Sequence, residues 1–144
     1  MKPLYLALIL PCVLLSLPSF AGEYAIHIQP QTQGEVTFVT GGVGLDERNE
    51  LNATRANYNL SLLFSVQGKG NFLSDVKVRI TDLRGKVFLE TVSDGPILFA
   101  KLPSGRYIVT ADVNGEAYHK TVSVGGKKNT SLSFTWSQKM EEEN

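Results

Sequence analysis

From Gly95 to Ala111 the chain reads Gly-Pro-Ile-Leu-Phe-Ala-Lys-Leu-Pro-Ser-Gly-Arg-Tyr-Ile-Val-Thr-Ala, and no other stretch restricts the fold so much. Two apolar runs of strand length flank Leu102-Pro103-Ser104-Gly105, which reads as a tight corner. Pro103 pre-sets its own φ, and Gly105 is expected to take the positive φ such a corner often needs. Leu102 is placed to plug the space between the two strands. The segment is architecture without chemistry. It predicts a small β-sandwich and is silent on activity.

The rest of the second half repeats this pattern with period two, the spacing of strands that bury one face. Leu60, Leu62, Phe64 and Val66 form one inward face, and Val76, Val78 and Ile80 the next. Asp82-Leu83-Arg84-Gly85 turns the chain into a strand from Lys86 to Val92. Ile97 and Phe99 are expected inward before the corner, with Tyr107, Val109, Ala111 and Val113 inward after it. Asn114-Gly115 marks a type I′ hairpin, because both residues tolerate positive φ. Tyr118, Val122 and Val124 follow inward, and after Gly125-Gly126 a final strand places Leu132, Phe134 and Trp136 inward. The prediction is all-β: a seven-stranded antiparallel Greek-key sandwich over residues 59–136, with a closed barrel as the alternative.

Residues 22–58 are expected to form a short strand-helix extension. Val36 to Thr40 reads as a strand, Gly41-Gly42-Val43-Gly44 as a turn, and Asp46 to about Ala56 as a helix capped by Asp46. Its apolar face is thin, so Leu51 and Tyr58 are the expected anchors. Tyr24, Ile26 and Ile28 alternate within 22–33, which either adds an edge strand or stays mobile.

Residues 1–21 combine Lys2, an apolar run from Leu4 to Leu17 and the small residues Ser19 and Ala21, the layout of a secretory signal. The run is broken by Pro11 and is shorter than the roughly 20 apolar residues of a membrane span, so stable insertion is not expected. Cys12, the single cysteine, lies within it. The mature domain therefore has no disulfide, thiolate ligand or cysteine nucleophile. Removing Lys2 takes one from 14 basic residues against 14 acidic ones, leaving a net charge of −1. That balance gives no reason to expect a nucleic-acid partner. Residues 137–144, ending Glu141-Glu142-Glu143-Asn144, read as a disordered acidic tail.

Residues 59–136 resemble the carboxypeptidase regulatory-like domain, one of the transthyretin-like (prealbumin) sandwiches. The resemblance rests on Gly70-Asn71-Phe72-Leu73-Ser74-Asp75-Val76, on Thr91-Val92-Ser93-Asp94-Gly95, and on Ile97, Phe99, Leu102, Pro103, Gly105 and Tyr107. Asp75 stands where that family has a small residue. The resemblance implies a prealbumin-like fold and a non-catalytic module acting with other proteins. Some transthyretin-like proteins hydrolyse hydroxyisourate using histidines, an arginine and a C-terminal Tyr-Arg-Gly-Ser. This sequence reads Glu-Glu-Glu-Asn there, so that activity is not implied.

His27 and His119 are the two histidines, and without convergent ligands they read as plain polar side chains, with His119 pointing outward. No Gly-x-Ser-x-Gly nucleophile segment occurs. No catalytic residue, metal or cofactor is proposed. Gly41, Gly42, Gly44 and Asp46 form a candidate binding corner beside a weakly anchored helix, set against the plain reading of a connecting turn. Asn52, Asn59 and Asn129 match glycosylation triplets that arise often by chance, and Lys101, a conceivable partner in a lysine–asparagine cross-link, reads as solvated. The expected function is a non-enzymatic exported module, periplasmic or secreted, whose exposed edges and Val36–Tyr58 segment hold another envelope or secreted protein. The alternative is a small-ligand or carbohydrate-binding domain using Tyr24, Tyr58, Phe72 or Tyr118 as a platform, and an enzyme ranks third.

Overall fold

The computed structural model describes residues 28–68, 70–126 and 128–137. The expected export signal, Tyr24, His27 and the acidic run after Ser137 lie outside the described residues. The strands are β1 (Gln31–Gln33), β2 (Val36–Gly41), β3 (Leu60–Val66), β4 (Lys77–Asp82), β5 (Val87–Val92), β6 (Ile97–Lys101), β7 (Gly105–Val113), β8 (Glu116–Val124) and β9 (Thr130–Trp136). A helix, α1 (Leu45–Thr54), and a 3-10 turn over Arg55–Asn57 separate β2 from β3.

Two sheets face each other, one ordered β1-β2-β6-β3-β9 and the other β5-β4-β7-β8. All seven strands expected over residues 59–136 are present. The total among the described residues is nevertheless nine, because β1 and β2 join the first sheet and β2 pairs along β6. The arrangement is not wholly antiparallel either. β9 runs parallel to β3 from Leu60↔Thr130 to Val66↔Trp136, since the chain crosses to the second sheet and back between them.

The core between the sheets takes Leu60, Leu62, Phe64 and Val66 from β3, Val78 and Ile80 from β4, Val109 and Ala111 from β7, and Phe134 and Trp136 from β9. Trp136 is fully enclosed and its indole N–H donates to the Glu116 carbonyl at 2.9 Å. One face assignment is corrected. Leu98 and Ala100, not Ile97 and Phe99, face this core; Ile97 and Phe99 point to the opposite face, into a second cluster with Val39, Leu51 and Tyr58. Alternation cannot choose a face for a strand that is apolar on both.

The corner after β6 depends on Asn59. Its carboxamide copies a strand partner: the Leu102 N–H donates to Oδ1 at 2.9 Å, and Nδ2 donates to the Leu102 carbonyl at 2.8 Å. Leu102 plugs the corner as expected and is buried. The Tyr107 hydroxyl donates back to the Pro103 carbonyl at 2.5 Å. Burial, with Glu35 and Asp82 nearby, pushes the Tyr107 hydroxyl pKa above its ordinary value. Gly105 is corrected: it opens β7 without a positive φ, and a Cβ there would meet only the Tyr107 ring, at 3.7 Å.

Gly95 carries the tighter constraint. A Cβ on it would fall 2.3 Å from the Gly41 carbonyl oxygen, so two backbones touch where β2 and β6 meet. Asp75, the departure from the family pattern, adopts φ 59°, and buried Ser93 takes up the pairing there by accepting the Val76 N–H on its hydroxyl at 3.0 Å. Asn114 and Gly115 both have positive φ, 52° and 87°, as the type I′ hairpin requires.

Gly95→Ala should therefore cost about 2–3 kcal/mol through overpacking, whereas Gly105→Ala should stay within about 1 kcal/mol of wild type. Urea unfolding of the two variants checks this, and the reverse ranking would contradict the contact. Asn59→Ala leaves the Leu102 N–H and carbonyl without their partner, and should cost about 2–4 kcal/mol in the same assay.

Candidate functional site

The first sheet does not leave its outer face bare. α1 lies across it, held by Leu51, the one buried residue of the helix. Leu51 meets Val39, Tyr58, Ile97 and Phe99, and Tyr58 packs on Phe99 with ring centroids 6.0 Å apart. Burial raises the Tyr58 hydroxyl pKa, so this residue is a neutral anchor and not an exposed platform.

Beside this contact, α1 and the sheet enclose a groove of about 360 Å³. Arg48, Asn52 and Arg55 form its helical wall; Leu63, Ile97 and Phe99 form its apolar floor; Phe72 and the β9 serines Ser131 and Ser133 complete it. Spacing of i, i+4 and i+7 puts the three polar residues on one face of α1 and its 3-10 extension. At about 100° per residue, Asp46 and Glu50 fall on the opposite side. None of the lining residues is a carboxylate.

Each guanidinium is held in place. Arg48 Nη1 donates to the Gly42 carbonyl at 3.2 Å, and its Cζ lies 5.1 Å from the Phe72 ring centroid. Arg55 donates to the Ser131 hydroxyl. Asn129 fastens the same end, since its Nδ2 donates to the Tyr58 carbonyl at 3.0 Å and its Oδ1 accepts from the Ser61 hydroxyl at 2.8 Å. Phe72 in the lining is 48% exposed, and at the start of α1 Val43 and Leu45 are exposed at 65% and 63%.

The expected binding corner adjoins this groove but differs in detail. Gly42 has φ 93°, and a Cβ there would come within 3.0 Å of Arg48 Cγ and 3.1 Å of Ile97 Cδ1. Gly41 backs onto Gly95, as described above. Gly44, not Asp46, is the N-cap; it has extended backbone angles and offers its carbonyl to the Arg48 N–H at 3.0 Å. Asp46 stays in the first turn, exposed, and outside the groove lining. Of the three residues that matter most here, Asn52 is named from the sequence only for a glycosylation triplet and Arg48 and Arg55 are not named, although their helical spacing is a readable signal.

The other candidates lie elsewhere. His119 points outward and shares a 2.8 Å hydrogen bond with Thr110. Among the described residues, no group of three His, Cys, Asp or Glu side chains could hold a metal ion. Tyr118 was expected inward but is 36% exposed at the sheet edge, resting edge-on against Trp136. Its hydrogen bond to Glu116 raises its pKa. Lys101 is exposed beside a larger, more polar depression of about 510 Å³ that includes Asn57 and Asn59. The Asn59 and Asn129 carboxamides are committed to structure, while Asn52 is exposed on α1. No helix among the described residues is long and apolar enough to cross a membrane.

No protein-family model matches the chain, and no curated protein sequence matches it significantly. Among solved structures it is similar to a 5-hydroxyisourate hydrolase from Klebsiella pneumoniae, with 19% identity over 56% of this chain and 90% of that one, at a TM-score of 0.45. A likeness of that size transfers neither residue roles nor activity.

Gly42→Ala should cost about 1–2 kcal/mol, since it combines a disfavoured backbone angle with contacts to Arg48 and Ile97. Gly44→Ala, with open space around it, should remain within about 0.5 kcal/mol. Thermal unfolding of the pair checks this; equal losses would contradict the assignment of Gly42 as the constrained member of the corner.

Proposed function

We propose that the chain is an exported, non-catalytic β-sandwich of the carboxypeptidase regulatory-like kind that holds another envelope or secreted protein. The observation that carries this reading is the groove under α1, with its apolar floor and the exposed Phe72 in its lining, while Val43 and Leu45 are exposed at the start of the helix. An apolar groove floor walled by polar side chains is characteristic of interaction sites. The composition of residues 1–21 supports export, and the lack of cysteine after Cys12 is compatible with a periplasmic or a secreted location.

Strand addition at the sheet edges is a poorer route than the groove. Glu90 sits on edge strand β5, and its free backbone pair is already taken by the Gln33 carboxamide: Glu90 N–H donates to Oε1 at 2.8 Å, and Nε2 donates to the Glu90 carbonyl at 3.2 Å. On the other side Lys120 of β8 donates to the Ser133 carbonyl of β9. Such coverage protects edges from pairing.

The small-ligand reading has one observation in its favour. The groove volume falls within the range of ligand pockets, and Phe72 alone of the described aromatic candidates Tyr58, Phe72 and Tyr118 lines it. Arg48 already covers that ring, so a sugar face would have to displace it.

Cross-linking in cells, followed by capture on the tagged mature chain and mass spectrometry, tests the leading reading. A specific protein should be recovered by wild type and by Val92→Ser, a change on the other sheet's exposed edge, and should drop at least fivefold with Val43→Ser/Phe72→Ser. Recovery unaffected by the double change, or no specific protein at all, would contradict it.

A further inference from the structure

We infer that the groove recognises an acidic, apolar-centred segment of the partner, in extended conformation, with carboxylates facing Arg48 and Arg55. This deepens the proposed function and rests on it. Three features point to that chemistry. The lining carries two guanidiniums and no carboxylate. Of the three acidic residues of α1, Asp46 and Glu50 are turned to the opposite side, and Glu47 lies over Gly41, outside the groove lining. The floor of Leu63, Ile97 and Phe99 is apolar, which favours side chains that leave water between the two charges.

The dimensions suit a short strand. Arg48 and Arg55 are seven residues apart, or about 10 Å along a helical axis. Carboxylates four residues apart on an extended chain share one side and are about 13 Å apart, a difference that two long arginine side chains absorb. The residues between them alternate toward the floor. Guanidinium is also the group best matched to carboxylate, through paired N–H donors. Neither arginine spends its charge on a carboxylate of the groove, and their present acceptors are neutral: backbone carbonyls and the Ser131 hydroxyl.

The test uses the mature chain and two fluorescein-labelled peptides, Gly-Glu-Leu-Ser-Leu-Glu-Gly and its Gln-for-Glu analogue, read by fluorescence anisotropy. At about 20 mM salt the acidic peptide should bind at least tenfold more tightly than the neutral one, and the gap should shrink at about 300 mM. Arg55→Gln, which removes a side chain whose described bond is to an exposed hydroxyl, should cut the gap at least threefold. Arg48→Gln/Arg55→Gln should abolish it while the variant keeps a cooperative unfolding transition. Equal binding of the two peptides, binding of neither, or a gap that survives the double substitution would overturn the inference. Glu141→Gln/Glu142→Gln/Glu143→Gln covers the other acidic occupant. If the acidic peptide binds only to that variant, the groove belongs to the chain's own C-terminal residues and the partner assignment falls. Peptides that fail while Val43→Ser/Phe72→Ser still abolishes capture would remove the charge assignment and leave the binding module standing.

Discussion

Ile97, Leu98, Phe99 and Ala100 are four consecutive buried side chains, so β6 sends Leu98 and Ala100 between the sheets and Ile97 and Phe99 outward beneath α1. That two-sided burial ties a second, smaller core to the first. A sheet with one wet face would need nothing over it. Here the outer face is too apolar for water, and the segment between β2 and β3 supplies its cover. The groove follows from that cover, because a thin helix anchored at Leu51 closes only part of the face.

Much of the sandwich was legible in the sequence, and for a physical reason. A strand such as β4 has one dry face, so its alternation is unambiguous; Asn114-Gly115 and Leu102 behave as their chemistry dictates. The errors fall where a local rule has two answers. The apolar residues of β6 fit either face. Gly105 looked like a turn glycine, yet the glycine demanded by a close backbone approach is Gly95, and its partner Gly41 is 54 residues away in the chain, a contact no local pattern reports. Long-range placement likewise brought β1 and β2 into the first sheet and put β9 parallel to β3.

The candidate site was half legible. Glycines at 41 and 42 drew attention to the right region, since positive φ leaves a visible mark in composition. Its chemistry was missed because α1 has one buried residue and no apolar stripe to draw attention to its faces, so only the i, i+4, i+7 spacing of Arg48, Asn52 and Arg55 marks the shared side. The position of Leu51 sets the helical phase, and with it the side on which the guanidiniums emerge. Asn59 and Asn129 show the converse: triplets that look like modification sites are carboxamides consumed by the fold.

The account therefore turns on α1 being a roof held by its own small core, separable from the sandwich below. Hydrogen–deuterium exchange of Leu51→Ala, compared with wild type, tests this most directly. The prediction is that amides of residues 45–57 lose their protection while those of β3, β4 and β7 keep theirs, because the cavity is confined to the outer cluster. A uniform loss across both sheets, or no change in the helix, would contradict it.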